Sequence, residues 1–598
     1  MSPIRRTLRH LLGLPQQRCT IRSSTEWLEL SDGIRLATSV IQPVSADRDP
    51  APVLLVRTPR TTLKRTAAAR FEAQRVAESG YSVVLQECRG RGASEGRFTP
   101  FENEQSDGGE TLAWIADQPW VRDGVGLFGV GYSGHAAWAA LAAAPDRVAA
   151  IAVGFHGRDP YSRIYSGGAL QLDAALRFGL AYSERPASAS DIDFERGLRH
   201  RPLFEADRVA LRHSDTWRAF LTHPRCDDYW TERTPRLPEH PPAALILAGW
   251  YDPSLASQLA DHAALALRAM ATGSTAPELV IGPWAAGSEV RGRRSCRRRG
   301  MLLRHMIDFF DRRLRGSPTR GTPVRVFTNG EEGWRDLPAW PPPAARDSTW
   351  YLRAVRDADS RIDDGSLSPA APATDEAPKC FRADPEDPVP SIGGTLASAP
   401  GPADQRSVEA RADVLCYSSP PLPHDLLIAG SVRLQLHVAS SAPDGDFTAK
   451  LVDVAADGTA TIVCDGITRA RRHDDGDHDV WFEGDTPRQL EISLSATACL
   501  FRAGHRIRLE VATSNFPRFD RNPHSRDCPA SAAPAAFEAA RLTLLHDALH
   551  PSQLTLPTIA SSPAAELRKA ELREIASANA KGPPVHTGGP LNRSKGGD

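Results

Sequence analysis

The stretch GLFGVGYSGHAAW, Gly126 to Trp138, is where this chain most openly offers covalent chemistry. An apolar run, VGLFGV, enters a glycine-punctuated turn, and an Ala-rich segment, HAAWAALAAAP, follows until Pro145 ends it. Strand, sharp turn and helix in that order lift a serine hydroxyl out of a sheet so that it can attack a carbonyl carbon. Read as a distorted G-x-S-x-G, the turn makes Ser133 the nucleophile. Such a serine needs a proton acceptor and an acid that orients it. Candidate acceptors are His135, His156 and His262, and Asp252 stands in GWYDPSLASQLADH. Each has a plainer reading. The histidines suit packing, and Asp252 followed by Pro253 suits a helix N-cap with proline at the first helical position.

The elements that must position these groups are legible from their periodicity. EWLELSDGIRLATSVIQP alternates around Ser-Asp-Gly and reads as a β-hairpin. APVLLVRTP, YSVVLQECRG, VGLFGV, VAAIAVGF, AALILAGWYD and PELVIGPW are short apolar runs between turn residues, the pattern of buried parallel strands. With helical segments between them they predict a doubly wound α/β sheet over residues 26–157 and 243–318. Residues 158–242 lack strand runs and read as a helical cap over the strand ends. From 319 to 560 the texture changes to alternating strands, PVRVFTNG, STWYLRA, GSVRLQLHVAS, FTAKLVDVA and HRIRLEVATS, which predict an all-β jelly-roll sandwich. Residues 561–598 read as a polar helix and a disordered tail.

At 598 residues the chain exceeds the ~250 to 300 residues that one core sustains, so several domains are expected. A net charge of -1 with 24% charged residues argues against a nucleic-acid partner. The opening MSPIRRTLRHLLGLPQQRC holds an apolar run too short for a signal peptide or membrane span, and a cytoplasmic protein is expected. Nine scattered cysteines with no C-x-x-C pair make neither a disulfide framework nor a zinc site. The acidic stretches lack a calcium-loop pattern, so no metal or cofactor is expected.

From Trp27 to Thr558 the chain resembles the cocaine-esterase-like hydrolases, a family that includes α-amino-acid ester hydrolases and X-prolyl dipeptidyl aminopeptidases. CRGRGASEGRF, DQPWVRDGVGLFGVGYSG, AGWYDPSL and VIGPW carry the resemblance in the hydrolase half. DQRSVEARADVLCYSS, DGITRAR and SNFPRFDRN carry it in the jelly roll. The family's serine lies in G-x-S-Y-x-G, its histidine in G-P-W-x-H, its acid in G-W-Y-D, and an oxyanion tyrosine follows R-x-P. Carried over position by position, the resemblance puts the retained acid at Asp252, the serine slot at Gly131, the histidine slot at Ala286 and the tyrosine slot at Arg60. Crowding bears on the choice between Gly131 and Ser133. Residues two places either side of an elbow apex must be small, which Gly129 and Ser133 satisfy and His135 does not.

The resemblance therefore implies a degenerate hydrolase that binds an acyl ester, amide or polyketide-like small molecule and, if catalytic, acts without hydrolysis. An active hydrolase using Ser133 and a non-catalytic binding or scaffold protein stand as the alternatives. Arg60, Tyr132, Trp250, Tyr251 and Trp284 are the expected ligand-facing residues. The run RGRRSCRRRG reads as a solvated loop or as an anchor, through Arg293, Arg294, Arg297 and Arg298, for an anionic partner such as a carrier protein.

Overall fold

A computed structural model describes residues 17–44, 50–59, 63–122, 124–183, 192–285, 295–318, 322–354, 365–373, 375–472 and 478–560. The predicted hairpin forms from β1 (Thr20–Glu29) and β2 (Arg35–Val44), joined by a turn in which Gly33 takes a φ of 83° and the Asp32 carboxylate accepts the Ile34 N–H at 3.1 Å. The apolar runs become β3 (Val53–Thr58), β4 (Ser82–Glu87), β5 (Val125–Val130) and β6 (Val148–Gly154). The helices between them are α1 (Leu63–Ala77), α2 (Glu104–Ala116) and α3 (Tyr132–Ala143).

The predicted cap holds α4 (Tyr161–Ile164), α5 (Leu172–Ala181), α6 (Phe194–Arg199), α7 (Ala206–Ala210), α8 (Asp215–Thr222) and α9 (Asp228–Thr231). It also holds a two-residue ribbon, β7 (Tyr165–Ser166) with β8 (Ala169–Leu170), in a region expected to have no strands. Gly167 and Gly168, both at positive φ, make its turn, and neither position offers an alternating run that periodicity would register.

After the cap come β9 (Ala243–Gly249), α10 (Leu255–Thr272), β10 (Glu278–Gly282), α11 (Ser295–Leu314), β11 (Val324–Thr328) and β12 (Gly333–Leu337). The sheet runs β1-β2-β4-β3-β5-β6-β9-β10-β11-β12, and its middle, from β4 to β11, is parallel. One face packs on α1 and α11 through Ala73, Val76, Met306 and Phe310. The other packs on α2, α3 and α10 through Leu112, Trp138 and Leu265. Burial on both faces is why these strands read as continuous apolar runs.

The stretch PVRVFTNG, expected to open the sandwich, belongs to this first sheet, where β11 lies parallel to β10 and β12 turns back antiparallel. An alternating edge strand looks the same whichever sheet it joins, so sequence alone did not assign it. The remaining strands form a second sheet, eleven-stranded among the described residues, around Leu434, Phe447, Leu494 and Leu509. An α/β-hydrolase domain with a helical insertion is thus followed by an all-β jelly-roll domain. The insertion is tied to the jelly roll by buried ions. Arg469 pairs with Asp446 at 2.8 Å and with Asp520 at 2.9 Å, and Asp520 accepts the Leu170 N–H at 3.0 Å.

Candidate functional site

The turn after β5 has Gly131 at its apex, with φ 62° and ψ -133°. This backbone region is essentially restricted to glycine unless function holds another residue there. The Gly131 N–H donates to the Gly154 carbonyl at 2.8 Å, and the Gly131 carbonyl accepts from Gly134 at 2.8 Å, so the apex is tied to β6 and to the start of α3. A Cβ built on Gly131 meets nothing within 4 Å, whereas one on Gly129 lies 1.9 Å from the Ser133 carbonyl oxygen. The crowding argument therefore has a concrete cause: the first turn of α3 leaves no room for a side chain on the strand two residues before the apex.

Ser133 is the second residue of α3 and is buried. It lines a gap of about 20 Å³ beneath α1, together with Thr58, Phe128, Val130 and Ala73. That is room for about one water, not for an acyl substrate. Its hydroxyl and an imidazole are not brought together among the described residues.

His135, one turn along α3, and His156, just past β6, lie 5.4 Å apart between ring centroids, in a cluster with Phe101, Tyr132 and Phe178. His156 Nδ1 bonds the Gly157 carbonyl at 2.6 Å, which makes Nδ1 the protonated nitrogen and leaves Nε2 as an acceptor. Burial, helped by the charge of Arg163, pushes the His156 pKa down to about 3, and burial also holds His135 well below the usual imidazole range. Such weak proton acceptors are poor general bases at neutral pH. His262 lies on α10, also lowered by burial.

Asp252 is fully buried, and its carboxylate accepts the Ser254 N–H at 2.9 Å. The N-cap expectation is corrected: α10 starts at Leu255, with Ser254 as its flanking residue. Bonds from Trp250 and Tyr251 N–H groups to Gly282 and Trp284 carbonyls hold the chain against the end of β10 up to Asp252, and a turn closed by the Leu255 N–H on the Asp252 carbonyl precedes the helix. Facing Asp252 is a cap residue that sequence motifs did not mark. Arg163 Nη1 lies 3.9 Å from the Asp252 carboxylate and donates to Ser254 Oγ at 2.6 Å.

The expected aromatic wall is largely core. Trp250 donates its indole N–H to the Phe327 carbonyl at 2.7 Å and packs on Trp340, while Trp284 packs on Trp334. Tyr251 is buried in the same core as Trp250. Strand-end aromatics at this edge are claimed by β11 and β12, whose membership of the sheet was not foreseen. Tyr132 does reach the cluster under the cap, and its hydroxyl donates to Glu104 at 3.0 Å while accepting the Phe101 N–H at 2.8 Å. Glu104 in turn pairs with the buried Arg57 at 2.9 Å, and Asp107 pairs with Arg89 at 2.7 Å. This ionic bed fixes the residue next to the apex. The interruption of the apolar run VLLVRT by Arg57 was its one sequence signal. Arg60, Ala286, Arg293 and Arg294 lie outside the described residues, as do the side chains of Arg297 and Arg298 and the tail 561–598. Among the described residues no group of His, Cys, Asp and Glu is arranged to hold a metal, and no helix is long and apolar enough to cross a membrane.

Comparison with known proteins follows the two halves of the chain. Residues 32–285 match the X-Pro dipeptidyl-peptidase (S15 family) model, and residues 318–555 match the X-Pro dipeptidyl-peptidase C-terminal non-catalytic domain. Cocaine esterase of Rhodococcus sp. (strain MB1 Bresler) is 35% identical over 577 residues, covering 90% of this chain and 98% of that protein. A putative serine esterase of Mycobacterium bovis is 27% identical over 604 residues, covering 83% and 91%. Among solved structures, an α-amino acid ester hydrolase superposes with a TM-score of 0.76 at 23% identity, covering 91% of this chain and 98% of that one. An aminopeptidase from a marine-sediment Thaumarchaeota archaeon gives 0.76 at 21% identity with the same coverage. Both share the fold.

Proposed function

The chain belongs to the X-Pro dipeptidyl-peptidase (S15) family of cocaine-esterase-like proteins, and from that premise we propose that this member has kept the family's binding architecture without its acyl-enzyme chemistry. On this reading it binds an ester, amide or polyketide-like small molecule between the sheet ends and the cap. Any catalysis is non-hydrolytic, a cyclisation or isomerisation driven by positioning and electrostatics.

One observation carries the proposal: the elbow backbone is intact, with the apex at φ 62° and ψ -133°, and the residue there is Gly131. A side chain held in that conformation costs ~1–3 kcal/mol, which an enzyme retains only for a working nucleophile. Glycine carries no oxygen to attack with. Removing the serine or histidine of a triad costs on the order of 10⁶-fold in turnover. The water-sized gap around Ser133 supports the same reading, as does the weak basicity of His135 and His156.

The test is labelling with a fluorophosphonate probe of the wild type, of Ser133→Ala and of a Gly131→Ser/Ala286→His revertant. The expected result is labelling of the revertant alone. Labelling of the wild type that Ser133→Ala abolishes would overturn the proposal in favour of an ordinary hydrolase.

A further inference from the structure

We propose that Arg163 is the recognition cation of this site, receiving the carboxylate of a small molecule with an apolar body on the Nε and Nη2 edge of its guanidinium. The inference rests on the reading above, because an imidazole engaged with Asp252 would compete for the space and charge that Arg163 uses.

The guanidinium has five N–H groups. Among the described residues one hydrogen bond uses them, from Nη1 to Ser254 Oγ at 2.6 Å. Asp252 is on the Nη1 side, and at 3.9 Å its carboxylate balances the Arg163 charge without accepting a hydrogen bond from that nitrogen. Nε is buried with no acceptor. The side chain is 17% exposed, so part of the guanidinium reaches solvent. A buried donor without a partner calls for an explanation, and a planar fork with one edge unused matches a carboxylate bidentately.

The surroundings fix what else the ligand must offer. Phe178 lies with its ring centre 5.8 Å from the Arg163 guanidinium carbon, and Phe101 stacks on Phe178 at 5.5 Å, giving an apolar wall next to the cation. Next to Phe101, His156 is 1% exposed and its Nε2 is an acceptor without a partner. It lies 5.9 Å from Phe101 between ring centroids. The arrangement is also held in place. Gln171 donates to the carbonyls of Ser162 at 2.9 Å and Arg163 at 3.2 Å, pinning the cap turn that carries the arginine. The cap supplies the cation and Phe178, and the hydrolase domain supplies Ser254 and Asp252, so a ligand here bridges the two.

Calorimetric titration with phenylacetate and its neutral isostere phenylacetamide tests the assignment on the full chain. Wild type should bind the acid about 10- to 100-fold more tightly than the amide, the range expected for charge-assisted hydrogen bonds. Arg163→Gln should erase that preference, and Arg163→Lys, which keeps the charge but not the fork, should retain only part of it. Asp252→Asn removes the competing negative charge and should tighten phenylacetate binding. An arginine that merely braced the cap would leave the ratio of acid to amide unmoved in every variant that folds. Equal affinity of wild type for the two probes, absence of phenylacetate binding at millimolar concentration, or a ratio unchanged in both Arg163→Lys and Asp252→Asn overturns the proposal. Fluorophosphonate labelling is a separate readout, so failure of the non-hydrolytic reading is distinguishable from failure of the Arg163 assignment.

Discussion

Replacing Gly131 and, separately, Gly129 by alanine distinguishes the two ways of seating the elbow by stability alone. At Gly131 the added methyl meets nothing within 4 Å, so the cost comes from the backbone, held at φ 62°. Strain of ~1–3 kcal/mol is offset by ~0.4–1 kcal/mol from the stiffer unfolded chain, which leaves about 1.3 kcal/mol at the centre of both ranges. For one cooperative unit this lowers the melting temperature by roughly 2–5 °C. At Gly129 the methyl would sit 1.9 Å from the Ser133 carbonyl oxygen and 2.5 Å from the Gly134 nitrogen. The obstacle is backbone, so the first turn of α3 must move, and a loss of about 3 kcal/mol or more is expected. Differential scanning calorimetry, following the first transition of this multidomain chain, measures both variants. The reasoning is refuted if Gly129→Ala is tolerated, or if Gly131→Ala costs as much as Gly129→Ala. Either result would mean that the apex lies elsewhere, with Ser133 the natural candidate.

Two further predictions concern the buried charges. Arg57→Leu leaves Glu104 and Asp107 without their shared cation and should destabilise by ~3–5 kcal/mol, whereas Arg57→Leu/Glu104→Leu should recover much of that loss. Strictly additive melting-temperature shifts would refute the pairing. Burial, opposed by Arg158, pushes the Asp261 carboxyl up to about 6, so the folded state holds that proton more tightly than the unfolded chain does. Its contribution to stability is fully present below the ordinary aspartate pKa of ~4 and is lost as pH rises through about 6. Asp261→Asn stays uncharged and should flatten that part of the curve of melting temperature against pH, and a variant that declines as steeply as wild type would sink the assignment.

The amino-acid sequence determined whatever depends on neighbours along the chain. Apolar runs such as VVLQ and LILAG specified strands buried on both faces, the Ser-Asp-Gly turn specified the first hairpin, and the glycines specified the elbow, with no room for a side chain at 129 and a positive φ at 131. The family motifs added the alignment of Asp252. Tertiary structure decided the contacts between residues remote in sequence. It assigned β11 and β12 to the hydrolase sheet and so enclosed Trp250 and Trp284 in core. It also carried Arg163, from a cap segment without a motif, across to Asp252, 89 positions later in the chain. Periodicity records which face of a strand or helix is buried, but not which distant group buries it. That information resides in the packing of the cap on the sheet ends, which brings Arg163 to Asp252.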